Sequence, residues 1–301
     1  LAEQHLDAPP LDQAVDLDRF TAHVQAEHLP HAIIVDCSAS DAVASRYADW
    51  LSRGIHVVTP NKHAGSGSLA RYEAIRKASA RAKFRAESTV GAGLPVISTL
   101  RDLIDTGDEV LAIEGIFSGT LAWLFNSYDG STPFSELVLQ AKALGYTEPD
   151  PRDDLSGTDV ARKLVILARE CGWKTTVDAV QVESLVPTSL QGVPAADFLT
   201  RLKELDAPMQ ERLAKAKKSG AVLRYVAKLD GAGTAKVGLM ELPTSHAFAH
   251  IKLTDNVVQF TTARYRNNPL VVQGPGAGPE VTAAGIFADV LRIAGSLGAK
   301  L

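Results

Sequence analysis

Cysteine is almost missing: Cys37 and Cys171 are the only two in 301 residues. Two thiols so far apart make neither a disulfide framework nor a zinc cluster, and a reducing cytoplasm is the expected setting. Long apolar runs are missing too. No stretch approaches the roughly 18 residues that a bilayer span needs, so no membrane role is expected. Leu1–Pro10 has neither the charged nor the apolar region of a secretion signal. The formal net charge is -4, with acids and bases interleaved and no basic arm or stripe, which argues against nucleic acid as a partner. No internal repeat or low-complexity tract occurs. What is present, 46% hydrophobic and 22% charged residues, suits a soluble globular protein of one large or two modest domains.

The order of elements divides the chain. Ala32–Cys37 reads as a short buried strand, followed by one helix with Ser40 as N-cap and Gly54 at its end. Ile55–Thr59 reads as the next strand, Leu69–Arg81 as a helix, and a strand lies around Phe84. Strands and helices alternating in short steps indicate a parallel α/β winding. Beyond it the pattern changes. Glu109–Ser118 is strand-like, helices are expected near Leu121–Asn126, Phe134–Leu144 and Leu155–Cys171, and Val222–Leu229, Ala235–Met240 and Val257–Thr262 read as antiparallel strands. The first two of these join through the turn Asp230-Gly231-Ala232-Gly233. This second part reads as an α+β substrate domain. The C-terminal segment returns to strand, glycine loop and helix. Gly274, Gly276 and Gly278 imitate a dinucleotide-binding turn, yet only about one helix of chain follows, too little for an independent βαβ unit.

Gly145–Arg169 carries the most chemistry. Glu148, Asp150, Asp153 and Asp154 crowd around two prolines, which are expected to hold an extended loop apart from the helix that follows. In that helix Val160, Leu164, Leu167 and Cys171 form one apolar stripe. At about 100° per residue, Lys163 lies roughly 60° from the first member of the stripe and Asp159 about 100°. Both therefore sit at the border between core and cleft, where an ammonium is partly desolvated. Spacing alone equally allows an ordinary i,i+4 ion pair on a solvated face.

The string TEPDPRDDLSGTDVARKLVILAR at Thr147–Arg169 resembles the signature of the homoserine dehydrogenase family. Four further stretches agree in the same order: VVTPNKHA at Val57–Ala64, ESTVGAGLP at Glu87–Pro95, EGIFSGTLAWL at Glu114–Leu124 and QGPGAGPEVTAAGIFADVL at Gln273–Leu291. The resemblance spans about Ile33 to Gly298. It implies reversible reduction of aspartate 4-semialdehyde, a small amino-acid substrate, to homoserine with NADPH or NADH. Hydride arriving at an aldehyde carbon leaves charge on oxygen, so a positioned acid must supply a proton. Lys163 matches the family's proton donor and acceptor, and Lys62 matches a second lysine shared by reaction, substrate and cofactor. Two ammonium groups near one site are expected to disfavour each other's charge. Glu148 and Asp159 match acids that orient the amino end of the substrate, Asp154 supports them, and Gly119 lets backbone approach the substrate.

The same resemblance implies a monovalent-cation site. The Glu87 carboxylate and the backbone carbonyls of Val90, Ala92 and Leu94 would hold Na⁺ or K⁺, as oxygen ligands suit a hard cation. The residues by themselves also allow a glycine turn opening a helix, with Pro95 in its first turn. Ser38, Ala39, Thr59 and Pro60, at the ends of parallel strands, match positions beside nicotinamide and ribose, and Gly278 and Thr282 match cofactor-lining positions. A glycine fingerprint for the pyrophosphate is absent from the sequence. The expected fold is therefore α/β: an incomplete Rossmann-like parallel sheet plus an α+β catalytic and dimerisation domain. Residues 1–88 would form the partial dinucleotide-binding domain, completed by 274–301, and 89–273 the catalytic domain of a homodimer. The text resembles the C-terminal part of fused aspartate kinase–homoserine dehydrogenases, and the chain is expected either to be cut from such a fusion or to lack its earlier residues. Two rivals stand beside this reading. One is a reductase with Cys37 as nucleophile in place of a buried structural cysteine; the other is a non-catalytic dimerisation or regulatory module.

Overall fold

The computed structural model describes residues 15–26 and 28–299. Leu1–Pro10, where a secretion signal was sought, and the first fourteen residues of the expected 1–88 domain lie outside them. Among the described residues the strands form two sheets. The smaller is parallel, in the order β1 (Ile33–Val35), β2 (His56–Val58), β3 (Phe84–Arg85), with Ile33 beside His56 and Val57 beside Phe84. Its helices are α1 (Leu17–Val24), α2 (Asp41–Ala44), α3 (Tyr47–Ser52), α4 (Lys62–Ser66) and α5 (Leu69–Ala78). Ile34, Tyr47, Trp50, Leu51, Val57 and Ile75 form the core between them. The central strand β2 is buried throughout, as the middle of a parallel sheet is, whereas the edge strand β1 leaves Val35 exposed. α1 is tied in by Trp50 Nε1, which donates to Thr21 Oγ1 at 2.7 Å.

After α6 (Val96–Asp105) comes β4 (Val110–Ile116), then α7 (Gly119–Ser127), α8 (Phe134–Ala143), α9 (Pro151–Leu155) and α10 (Thr158–Glu170). The short strand β5 (Gln181–Val182) and helices α11 (Thr188–Gln191), α12 (Ala195–Thr200) and α13 (Asp206–Lys218) follow. β6 (Ala221–Asp230), β7 (Ala235–Pro243), β8 (Asp255–Thr262), β9 (Leu270–Pro275) and α14 (Pro279–Ser296) complete the chain. The second sheet has the order β5-β7-β6-β4-β8-β9, antiparallel except for the β5–β7 pair. The three expected antiparallel strands are all present, and Asp230 closes the β6–β7 turn by accepting from the amides of Ala232 and Thr234. β9 pairs with β8, so the strand before the C-terminal glycine loop belongs to the larger sheet. α14 returns to pack against β2 and the turn at Glu87–Thr89. No helix among the described residues is long and apolar enough to cross a membrane.

Several sequence expectations change. The helix after β1 is two: Ser40 caps the first, as expected, but Ser45 Oγ bonds back to Asp41 O at 2.8 Å where it ends. The helix expected over 155–171 starts only at Thr158, because Gly157 turns left-handed (φ 73°) and breaks it from α9. The acidic, proline-containing run is not held extended. Pro151 opens α9, and Asp150 caps it by accepting from Arg152 N at 3.0 Å. α10 has no solvated face of ordinary width, since Val160, Ala161, Leu164, Val165, Ile166, Leu167 and Ala168 are all buried.

A Cβ on Gly157 would lie 2.0 Å from the Tyr225 hydroxyl oxygen, which donates to Glu183 O at 2.7 Å. Gly157→Ala is expected to destabilise by about 2–5 kcal/mol, summing left-handed strain and overpacking. A urea midpoint equal to that of the parent would refute this.

Candidate active site

The two sheets meet along α4 and α10, and a cavity of about 580 Å³ opens at that junction. α4 follows β2 and begins at Lys62. Asn61 caps it, accepting from His63 N at 3.0 Å. α10 carries Asp159 and Lys163 one turn apart. Lys62 Nζ donates to Asp159 Oδ1 at 2.6 Å, and Lys163 Nζ lies 2.9 Å from Asp159 Oδ2. Lys163 also donates to Phe117 O at 2.6 Å and is only 12% exposed. Its ammonium is thus held dry at the cavity wall, as its place at the stripe's border implies. A carboxylate, Asp159, bridges the two lysines through its two oxygens, a partner the sequence did not place between them.

Asp159 keeps 37% of its side chain open to the cavity. Burial on its protein side pushes its pKa up, but the ammonium of Lys163 and then that of Lys62 outweigh this and hold the carboxyl well below the usual range. Opposite them, Asp154 accepts from Glu148 N at 2.8 Å and Thr120 Oγ1 at 2.9 Å. Burial raises its pKa despite these bonds, and the nearby charge of Glu148 adds to the rise. Glu148 itself is exposed and lines the cavity, its backbone fixed by Asp154. Gly119 lines it too. A Cβ there would make only ordinary contacts, the nearest at 3.4 Å to Thr254 O, so internal packing does not demand a glycine.

Of the expected cofactor positions, Pro60, Lys62, Gly278 and Thr282 line the cavity. Ser38, Ala39 and Thr59 do not. Ser38 and Ala39 are exposed beyond β1, while Thr59 is buried beneath the site, donating to Asp36 O and accepting from Asn61 N. Cys37 is exposed rather than buried and lies outside the cavity lining. Partial burial and the charge of Asp36 raise its thiol pKa, opposite to what a nucleophile needs.

In the loop expected to hold a cation, Ala92 contributes to the cavity wall, while Glu87, Val90 and Leu94 do not. Glu87 is buried, and its oxygens accept from Ile97 N at 2.6 Å and Ser98 N at 2.9 Å, closing the N-terminus of α6. Burial raises its pKa against these bonds. Pro95 stands at the N-cap of α6, just ahead of its first turn. The Leu94 carbonyl accepts from Val96 N at 2.8 Å, whereas those of Val90 and Ala92 take no hydrogen bond among the described residues. Two unpaired carbonyls of buried residues in the same loop as a buried carboxylate are donors that suit a hard cation.

The family model described as homoserine dehydrogenase matches residues 95–291, and the one described as homoserine dehydrogenase, NAD binding domain, matches residues 2–87. The homoserine dehydrogenase of Emericella nidulans is 49% identical over 276 residues, which cover 87% of this chain and 75% of that protein. This chain belongs to the homoserine dehydrogenase family. The chloroplastic bifunctional aspartokinase/homoserine dehydrogenase 2 of Arabidopsis thaliana is 50% identical over 289 residues, covering 94% of this chain but 32% of the relative. The chain thus spans about a third of the length of the bifunctional relatives it matches. A crystal structure of a Candida auris protein of unknown function aligns with TM-score 0.91 at 42% identity, covering 97% of this chain and 84% of that one. Membership brings with it a domain for a nicotinamide cofactor.

Sequence reasoning missed other lining residues. Thr120 stands inside the Glu114–Leu124 motif and was within reach, but Thr254, ahead of β8, belongs to no motif and meets the site only through sheet pairing.

A carboxyl with a depressed folded pKa stabilises fully above its unfolded value, and that contribution fades as pH falls through it. Asp159→Asn is therefore expected to melt below the parent at pH 7, with the gap closing below about pH 4. Melting temperatures across an acid series check this; a gap that persists unchanged at low pH contradicts it.

Proposed function

We propose that this chain interconverts aspartate 4-semialdehyde and L-homoserine with NADP or NAD, Lys163 acting as the acid and base. The observation that carries the reading is the largely buried Lys163 ammonium, bonded to Asp159 and Phe117 O at the wall of a cavity that Lys62 also lines. Pro60, Gly91, Ala92, Gly276 and Ala277 wall part of that cavity with small, uncharged groups, which suits a flat ring. When bound there, a reduced nicotinamide supplies the hydride. Lys163 gives its proton to the aldehyde oxygen as charge develops there, and takes it back in the reverse direction. Asp159 keeps both lysines in place, and the positive wall of Lys62 and Lys163 receives the substrate's oxygens. Glu148, steadied by Asp154, receives the ammonium end, and Gly119 leaves room for the substrate beside it.

Ser38 and Ala39 enter this proposal only at the cofactor's outer part, with Gly278 and Thr282 on the opposite side, while Thr59 supports the end of β2 from beneath. The packing of α14 against β2 supports a cofactor unit of residues 1–88 completed by 274–301, with 89–273 as catalytic and dimerisation unit. Na⁺ or K⁺ held by Glu87, Val90, Ala92 and Leu94 is a further part. The unpaired carbonyls support it, and a melting temperature raised by NaCl or KCl no more than by choline chloride would remove it. A homodimer, a fusion to aspartate kinase as in the bifunctional relatives, and a cytoplasmic setting complete the reading. The two free cysteines agree with a reducing compartment, and the native mass in solution decides the assembly.

In the full-length protein, Lys163→Ala is expected to lower kcat by about a hundredfold or more, the scale for a positioned acid or base. Glu148→Ala is expected chiefly to raise the KM for homoserine. Unchanged turnover in the first variant overturns the mechanism, and an effect of the second on NADPH alone overturns the role of Glu148. Absence of binding of both NADPH and homoserine would leave the non-catalytic module as the reading.

A further inference from the structure

α4 has only five residues, Lys62–Ser66. A helix this short does not hold itself together in water, so what grips its ends decides where it lies. At the N-terminal end Asn61 caps the turn, and its Nδ2 donates to Ser40 O at 2.9 Å and Asp36 Oδ2 at 3.2 Å. The C-terminal end is gripped from the other unit. Arg169, on α10 and 2% exposed, donates from Nη1 to Gly65 O at 2.7 Å and Gly67 O at 2.9 Å, and from Nε to Thr175 O at 3.0 Å. Between the ends, a Cβ on Gly65 would come within 2.8 Å of Ile166 Cγ1. Three points of contact therefore follow the same order on both helices: Lys62 on Asp159, Gly65 on Ile166, Gly67 on Arg169.

Arg169 is an expensive way to make a core contact. Its guanidinium bonds only to carbonyls, and Nη2 has no partner among the described residues. A buried charge without a counter-ion costs more than an apolar side chain of similar volume. What the charge supplies in return is specific. It meets the carbonyl end of α4, where a cation is favoured: Nη1 alone takes both Gly65 O and Gly67 O while Nε holds Thr175 O, so the planar fork ties that end of α4 to the turn after α10. A shift of α4 by one residue along α10 would move Lys62 by about 1.5 Å and break its contact with Asp159.

We propose that Arg169 is a positioning residue for the reaction: it sets the register of α4 on α10 so that Lys62 reaches Asp159. This rests on the reading of Lys62 and Lys163 as the lysines of the reaction. The test uses the full-length protein with Arg169→Lys, which keeps the charge and loses the fork. Well below its melting temperature, kcat/KM for homoserine oxidation is expected to fall about tenfold or more, the scale of a small misplacement. Combined with Lys62→Met, it should lower kcat/KM no further than Lys62→Met alone, while the shifts in melting temperature add. Losses that multiply in kcat/KM would show that Arg169 does not act through Lys62 and overturn the proposal, as would parental kcat/KM in Arg169→Lys. Parental activity in Lys62→Met is a distinct outcome, which removes Lys62 from the reaction and the proposal with it. Should Arg169→Lys not fold, Gly65→Ala displaces α4 from Ile166 with the arginine intact. The same cycle with Lys62→Met then decides: coupled losses uphold the proposal and multiplied losses overturn it.

Discussion

Asp159 receives two ammonium groups that reach it from different units, Lys62 from the helix after β2 and Lys163 from its own helix. The bridge is half-buried, with Lys163 only 12% exposed, and beyond its contribution to stability it fixes the geometry of the site. One carboxylate between two lysines leaves a single net positive charge on that wall of the cavity. Glu148 and Asp154 put the opposite sign on another wall. A cavity polarised in this way matches a molecule that carries a carboxylate and an ammonium. The bridge also makes the site depend on how the parallel sheet sits against the mixed one.

That seating is built from buried polar contacts as much as from apolar ones. Arg169 joins α10 to α4, and Tyr72 on α5 donates to the Arg169 carbonyl at 2.9 Å. On the other side of the cavity, Asp289 on α14 accepts from Glu87 N at 2.8 Å, and Arg292 lies 2.9 Å from Asp289 and 3.4 Å from Glu87. The Glu87 carboxylate in turn closes the start of α6. The loop that contributes Ser88, Thr89, Gly91 and Ala92 to the cavity is therefore anchored at its acid to both α6 and α14. Groups of this kind cost much when one partner is removed, so each ties the units to one arrangement instead of allowing a range.

Legibility in the sequence followed physical scale. Where neighbours a few residues apart decide the outcome, the reading held: the Ser40 cap, the β6–β7 turn at Asp230, and the strands beside it depend on local hydrogen bonds and period. Where a distant group decides, it did not. Gly157 breaks the helix before α10 with a left-handed turn, and only a glycine fits there because Tyr225, far along the chain, occupies the space a Cβ would take. Thr59 was expected beside the cofactor from its place at a strand end. It is instead buried beneath the site, because Asp36 O and Asn61 N use its hydroxyl.

By itself the sequence determined the motifs, the two kinds of sheet and the presence of Lys163 at the edge of an apolar stripe, because each is encoded in spacing along one element. It could not place a carboxylate between Lys62 and Lys163, expose Cys37, or bring Thr254 to Gly119. Those depend on contacts between residues 97 or more positions apart, as with Lys62 and Asp159, or on which surface another element covers. Such relations exist only once the chain has closed on itself, since nothing in local propensity records what a side chain will meet across a fold.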